Sequence, residues 1–232
     1  MNKHMEDNED FRIDQIIDEF LETEDRPKAI GSYYPSEIGM CLRRQFYSYL
    51  NPKKTDESTR RIFALGNNIH LFITEALKSS DRFGYVIEEK PIKINYSDEE
   101  STFTVYGRID DFIITKDGRK ILIEVKSASD VGNINEPQEK HVMQLNLYMK
   151  YENPDLGYLV YVDKKNMSIK QFEIKLNEEL YEKTMQRFKD LDKHLRNNEL
   201  PFAEYYFDDK KVWECKYCPY YNECMLDIAN NQ

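Results

Sequence analysis

No apolar run in this sequence is long enough to cross a bilayer. Stretches such as GYLVYV (157–162) end after a few residues, where a membrane helix needs about 20. The N-terminus has no basic start followed by an apolar stretch, so no secretory signal is read there. Internal repeats and low-complexity blocks are also missing, which excludes solenoids and linker-type chains. Cysteine is scarce, at four in 232 residues. The expected compartment is the cytoplasm, where thiols stay reduced and a few cysteines point to a metal or cluster before disulfides. Positive charge is outweighed, with 33 Lys and Arg against 43 Asp and Glu, a formal net charge of −10. Spread evenly, that balance would speak against a nucleic-acid partner. It is not even: residues 1–25 hold ten carboxylates against Lys3 and Arg12, a net of −8, which leaves about −2 for residues 26–232. A near-neutral body with the pairs Arg43–Arg44, Lys53–Lys54, Arg60–Arg61 and Lys164–Lys165 can still hold a phosphate backbone.

What is present is clear periodicity. Phe11, Ile13, Ile16, Ile17, Phe20 and Leu21 fall at helical spacing over 11–23. PSEIGMCLRRQFYSYL (35–50) reads as one helix with Ser36 near its start and Cys41 inside it, and 58–79 as an amphipathic helix. Alternation then predicts strands at 85–96, 103–115 and 120–127, with Asp117-Gly118 as a tight turn. A helix over 137–151 opens with Pro137 in its first turn. A second hairpin joins 157–163 to 168–176, and a long helix started by Asn177 fills 177–198. This order predicts a mixed α/β domain whose central sheet is covered on both faces.

Within that order, one group of residues carries chemistry. Glu124 and Lys126 stand at i and i+2 of a strand, so they share a face while Val125 packs oppositely. The hairpin can bring Asp110 beside Glu124. ILIEVKS is apolar on both faces and reads as a central strand, where a glutamate and a lysine are costly unless paired or metal-bound. Two carboxylates and a lysine form a hard-oxygen site for Mn²⁺ or Mg²⁺, suited to phosphodiester hydrolysis. His70 can add a nitrogen ligand. Gln144 and Tyr148, at i and i+4, share one helix face and can hydrogen-bond phosphates or bases.

His70, Asp110, Glu124-Val125-Lys126 and Gln144…Tyr148, in that order, resemble the motif set of RecB-like nucleases in the PD-(D/E)XK superfamily. With Cys41 and C-x₂-C-x₅-C at Cys215, Cys218 and Cys224, the chain is similar to the CRISPR-associated RecB-like iron–sulfur exonucleases and their standalone relatives. The resemblance implies a restriction-endonuclease-like core with a mixed sheet flanked by helices. It implies metal ligation by His70, Asp110, Glu124 and the Val125 carbonyl, with Lys126, Gln144 and Tyr148 at the reaction. It implies a [4Fe–4S] cluster on Cys41, Cys215, Cys218 and Cys224 that joins the two ends of the chain. The activity implied is single-stranded DNA exonuclease, commonly 5′→3′, and, for members in CRISPR loci, trimming of DNA before spacer integration beside the integration proteins. A recombination or repair role, or a DNA-binding subunit with a vestigial site, are the alternatives; intact Asp110, Glu124 and Lys126 argue against the latter. The family's first cysteine is usually followed by proline, and here Leu42 stands in its place. Zinc competes for the sulfurs, although structural zinc sites usually draw two ligands from each of two knuckles.

The implied organisation is an acidic, partly helical extension over 1–25, a nuclease domain over 26–204 and a cysteine segment over 205–232. Arg43 and Arg44 are the expected phosphate contacts. Tyr148 is the expected stacking platform, with Tyr47, Tyr220 and Tyr221 as weaker candidates.

Overall fold

The computed structural model describes residues 12–22 and 28–230. Most of the acidic extension, and both ends of the helix expected over 11–23, lie outside these residues. The helix within them, α1, spans Ile13–Leu21. The remaining elements are β1 (Ser32–Tyr33), α2 (Pro35–Ile38), α3 (Leu42–Leu50), α4 (Glu57–Lys78), β2 (Phe83–Ser97), β3 (Thr102–Thr115), β4 (Lys120–Ala128), α5 (Glu139–Glu152), β5 (Leu156–Asp163), β6 (Ile169–Ile174), α6 (Glu178–Asn197), α7 (Val212–Cys215) and α8 (Tyr221–Asn230). None of these helices is long and apolar enough to cross a membrane.

Local chemistry sets several of the boundaries. Asp56 caps α4 by accepting from the Thr59 N–H at 3.0 Å, and Asn177 caps α6 by accepting from the Leu180 N–H at 3.0 Å. Gly118 takes φ +85° in the turn between β3 and β4, where a side chain would be strained. Two expectations are corrected. The single helix over 35–50 is broken into α2 and α3, and Cys41 is the N-cap residue of α3 rather than a residue inside a helix. The chain turns out of helix at Cys41, with ψ 125°, and Gly39 lets α2 lie directly on α5, since a Cβ there would stand 2.4 Å from Lys140 Cβ. Pro137 also lies outside α5, because the Gln138 N–H donates to the Tyr161 hydroxyl at 3.0 Å and holds that residue extended as the N-cap.

Among the described residues the strands form one six-stranded sheet in the order β1-β3-β4-β5-β6, with β2 added along β3. It is mixed: β1 with β3 and β4 with β5 run parallel, and the other pairs run antiparallel. β4 is interior, as its two-sided apolar pattern predicts. On one face α4 packs Ile69 and Ile73 against Ile113, Ile123, Val125, Val160 and Val162. On the other, the larger core gathers Leu122, Leu159 and Tyr161 of the sheet with Leu145 and Tyr148 of α5 and Phe188 of α6. Burial of this apolar surface on both faces is what holds the mixed sheet.

One feature of the sheet, invisible in the sequence, creates the site. β2 pairs with β3 along nearly its whole length, so β3 has one edge left. Two strands share that edge: β1 takes Thr104 and Val105, and β4 takes Asp111 to Ile114. Between them, residues 106–110 have no strand partner on that side among the described residues.

Candidate active site and cysteine pocket

Asp110 stands at the rim of this gap. Where the β3–β4 ladder opens, its Oδ2 accepts from the Val125 N–H at 2.8 Å, so a side chain replaces a lost ladder bond. Alternation along β4 turns Glu124 and Lys126 toward α5. Lys126 Nζ donates to Glu124 Oε1 at 2.7 Å and to Gln144 Oε1 at 2.9 Å, and Gln144 Nε2 donates to the Tyr148 hydroxyl at 3.2 Å. Tyr148 lies across the gap over Gly107, where a Cβ would come within 2.9 Å of its ring. From the α4 side, His70 Nδ1 reaches to 3.5 Å from Asp110 Oδ1. The structure thus brings His70, Asp110, Glu124, Lys126, Gln144 and Tyr148 into one connected cluster.

The electrostatics are those of a crowded acid site. Glu124 is 1% exposed, and burial together with Asp110 pushes its pKa up, against the pull of Lys126. Burial alone would lower the Lys126 ammonium, but Glu124 and Asp110 outweigh it and hold the pKa above its usual value. For His70 burial is likewise outweighed, here by Asp110 and Glu124, and the pKa is raised. Glu124 Oε2 is buried with no hydrogen-bond partner, an unsatisfied lone pair in a place where it costs free energy. That orphaned oxygen beside Asp110 and an imidazole is a donor set that fits a hard divalent cation. The Lys126 ammonium supplies the positive charge next to Glu124.

Asp111 was not singled out by the sequence reading. Period-2 alternation sends it to the face opposite Asp110, under α4, where it accepts from Thr74 Oγ1 at 2.8 Å and leaves Oδ2 buried and unpartnered. Burial pushes its pKa up to about 6. The signal was available, since two consecutive acids on a strand buried on both faces must place one on each side.

His141, on α5, contacts the Tyr161 hydroxyl at 2.9 Å. Burial, then the Lys126 and Lys140 charges, depress its pKa to about 3. The fold therefore holds it neutral, while the unfolded chain protonates it below about 6.5. Its contribution is complete above pH 6.5 and is lost as pH falls toward 3, by about 1.4 kcal/mol per pH unit. His141→Gln is expected to flatten this acid limb, so that urea midpoints at pH 7 and pH 5 differ less in the variant than in the wild type. An equal drop in both proteins would refute this.

The four cysteines meet at the other end of the core. Cys41 caps α3, Cys215 ends α7, Cys218 follows it, and Cys224 lies on α8; all four thiols are free and line a single cavity with Arg43, Arg44 and Tyr220. Burial pushes the thiols of Cys218 and Cys224 up and that of Cys215 up to about 11. An ion pair braces the Cys41 turn: Arg187 donates to Glu204 at 2.7 Å and to the carbonyls of Ile38 and Met40, and Glu204 accepts from the Leu42 N–H at 2.7 Å. A proline at 42 would have no N–H to give, so the bond to Glu204 depends on the residue there not being proline. Four thiols around one cavity, with cations beside them, are a donor set that fits a polynuclear cluster.

Four of the expected DNA contacts are buried in this structure. Arg43 is buried, and its guanidinium donates to the Pro201 carbonyl at 2.6 Å and to Cys224 Sγ at 3.8 Å, so it braces the cysteine pocket instead of facing solvent. Tyr148 is 2% exposed and is committed to Gln144 and Gly107, so its ring is no platform for a base. Tyr47 is stacked on Tyr220, with centroids 5.5 Å apart, and both rings are buried. Arg44 and Tyr221 keep part of their surface.

This fold, with an acid–lysine cluster at a sheet opening, defines a class. The chain belongs to the PD-(D/E)XK nuclease superfamily, whose family model matches residues 12–225, and it is a nuclease. It is 27% identical over 226 residues to the CRISPR-associated exonuclease Cas4 of Saccharolobus solfataricus, covering 95% of this chain and 98% of the relative. Among solved structures it is similar to SSO0001, with 23% identity, a TM-score of 0.66 and coverage of 90% of this chain and 93% of that one. It also shares the fold of the alkaline exonuclease LHK-Exo from Laribacter hongkongensis, with 14% identity, a TM-score of 0.50 and coverage of 73% of this chain and 90% of that one.

Proposed function

We propose that the protein is a divalent-cation-dependent exonuclease that degrades single-stranded DNA from its 5′ end, clasped by a [4Fe–4S] cluster. The observation that carries the catalytic reading is the buried, partnerless Glu124 Oε2 beside Asp110, with the Lys126 ammonium 2.7 Å from the other Glu124 oxygen. His70, Asp110, Glu124 and the Val125 carbonyl would hold Mn²⁺ or Mg²⁺, which when bound polarises the scissile phosphate and acidifies an attacking water. Lys126 neutralises charge that develops on the phosphate, a role that suits an ammonium held charged by two acids. Gln144 fixes the position of Lys126, and Tyr148 fixes that of Gln144.

Cys41, Cys215, Cys218 and Cys224 would hold the cluster, joining the segment of residues 205–232 to the nuclease domain of residues 26–204. Four sulfurs lining one cavity, split one and three along the chain, favour a cluster over a structural zinc, which usually draws two ligands from each of two knuckles. The likeness to a CRISPR-associated exonuclease along nearly the whole chain supports a role in trimming DNA before its integration.

Strands labelled at either the 5′ or the 3′ end, digested with Mn²⁺, test the reading. Wild type is expected to release 5′-terminal label first, and Asp110→Ala and Glu124→Ala to release none. Release from the 3′ end, or digestion surviving in both variants, would overturn it.

A further inference from the structure

A strand bound for an acidic site needs a route, and in a chain with 43 Asp and Glu to 33 Lys and Arg most routes repel it. The groove that reaches His70 does not. It runs between α4 and the C-terminal ends of β4 and β5, lined by Ile62, Phe63, Gly66, Asn67, His70, Ser127 and Lys164, with no carboxylate among them. Phe63, Gly66, Asn67 and His70 fall at i, i+3, i+4 and i+7 of α4 and so share one face of that helix. The groove meets the reaction site at His70, which reaches Asp110, while Ser127 closes it against Gly66 on the α4 face of the sheet. Phe63 is 59% exposed at its outer end, an aromatic ring left in water on the helix that carries a proposed ligand. Opposite, the Lys164 N–H donates to the Ala128 carbonyl at 2.8 Å, which fixes the backbone from which its half-exposed ammonium extends.

We infer that this groove is the path of the DNA strand, with Phe63 stacking an unpaired base and Lys164 holding a phosphate. The inference rests on the exonuclease reading and adds the residues that position the strand. An aromatic ring accepts any base face, but only an unpaired base offers one, so Phe63 selects single strands without selecting sequence. Lys164 acts on the backbone and adds affinity that salt weakens.

The test is fluorescence anisotropy of a labelled oligo(dT) with the full-length protein in EDTA, so that the strand stays intact, read across a salt series. Phe63→Ala is expected to weaken binding about tenfold with the salt slope unchanged, and Phe63→Trp to restore it. Lys164→Ala is expected to make log Kd against log[salt] shallower by about 0.7, the share of one phosphate on a single strand. Thermal melts should stay close to wild type for all three variants, because Phe63 is mostly exposed and Lys164 is half-exposed.

If wild type digests single strands while both alanine variants bind as it does, the groove assignment is wrong and the exonuclease reading stands. If the variants lose binding as expected but wild type digests no single strand with Mn²⁺, the exonuclease reading fails and the groove stands. A wild type that holds no oligonucleotide overturns both.

Discussion

Lys126→Ala is expected to lower the rate of DNA hydrolysis by at least about 10²–10³-fold, the loss seen when one preorganised charge-stabilising donor is removed. Two effects act together. The ammonium that faces developing charge on the phosphate is gone, and so is the partner of Glu124. Glu124 is fully enclosed, and burial and Asp110 already push its pKa up, with Lys126 opposing them. Without Lys126 the carboxyl climbs further and holds a proton near neutral pH, which removes it from any cation site. That protonation also limits the structural damage, because a neutral acid is cheaper to bury than an unpaired carboxylate. The expected pattern is therefore a large fall in kcat, a small change in strand affinity and a modest change in melting temperature. Single-turnover digestion and anisotropy on the same preparation check it. A variant within tenfold of wild type would remove Lys126 from the reaction.

Cys218→Ser is expected to act on the protein before the chemistry. Cys218 packs against the main core and lines the cavity shared with Cys41, on the far side of the sequence. A group that ties residue 41 to 215–224 closes a very long loop, and the chain-entropy argument gives roughly 5 kcal/mol for such a closure. At about 2–4 °C per kcal/mol in a chain of this size, the melting temperature should fall by roughly 10–20 °C. Protein purified without oxygen should be brown, with a broad visible absorption. Cys218→Ser should lose the colour and much of its soluble yield, while Lys126→Ala keeps both. A colourless wild type carrying one zinc would replace the cluster with a single ion. A serine variant that melts with wild type would remove the clasp altogether.

Much of this was legible in the sequence, because it depends on near neighbours. Alternation fixes which side of a strand each residue faces, so the shared face of Glu124 and Lys126, and the opposite one for Val125, followed from position alone. The Asp117-Gly118 turn, the Asn177 cap and the interior place of β4 follow from backbone freedom, capping chemistry and two-sided apolarity, all read over a few residues. The same locality explains how Cys215, Cys218 and Cys224 could be read as one group.

Only the tertiary structure decided what each side chain is free to do. The opening beside Asp110 exists because β1, two residues from far upstream, and β4 share one edge of β3 without meeting, and no local pattern encodes that. Arg43 was drawn from solvent into the cysteine pocket by the Pro201 carbonyl, and Tyr148 was laid over Gly107, both by contacts between segments distant in the chain. Gly39 lets helix α2 lie against Lys140 of another helix. Conformation is set largely by neighbours along the backbone. Burial, and the partners that satisfy or orphan a polar group, are set by neighbours in space, and those determine where a cation, a cluster and a DNA strand can be held.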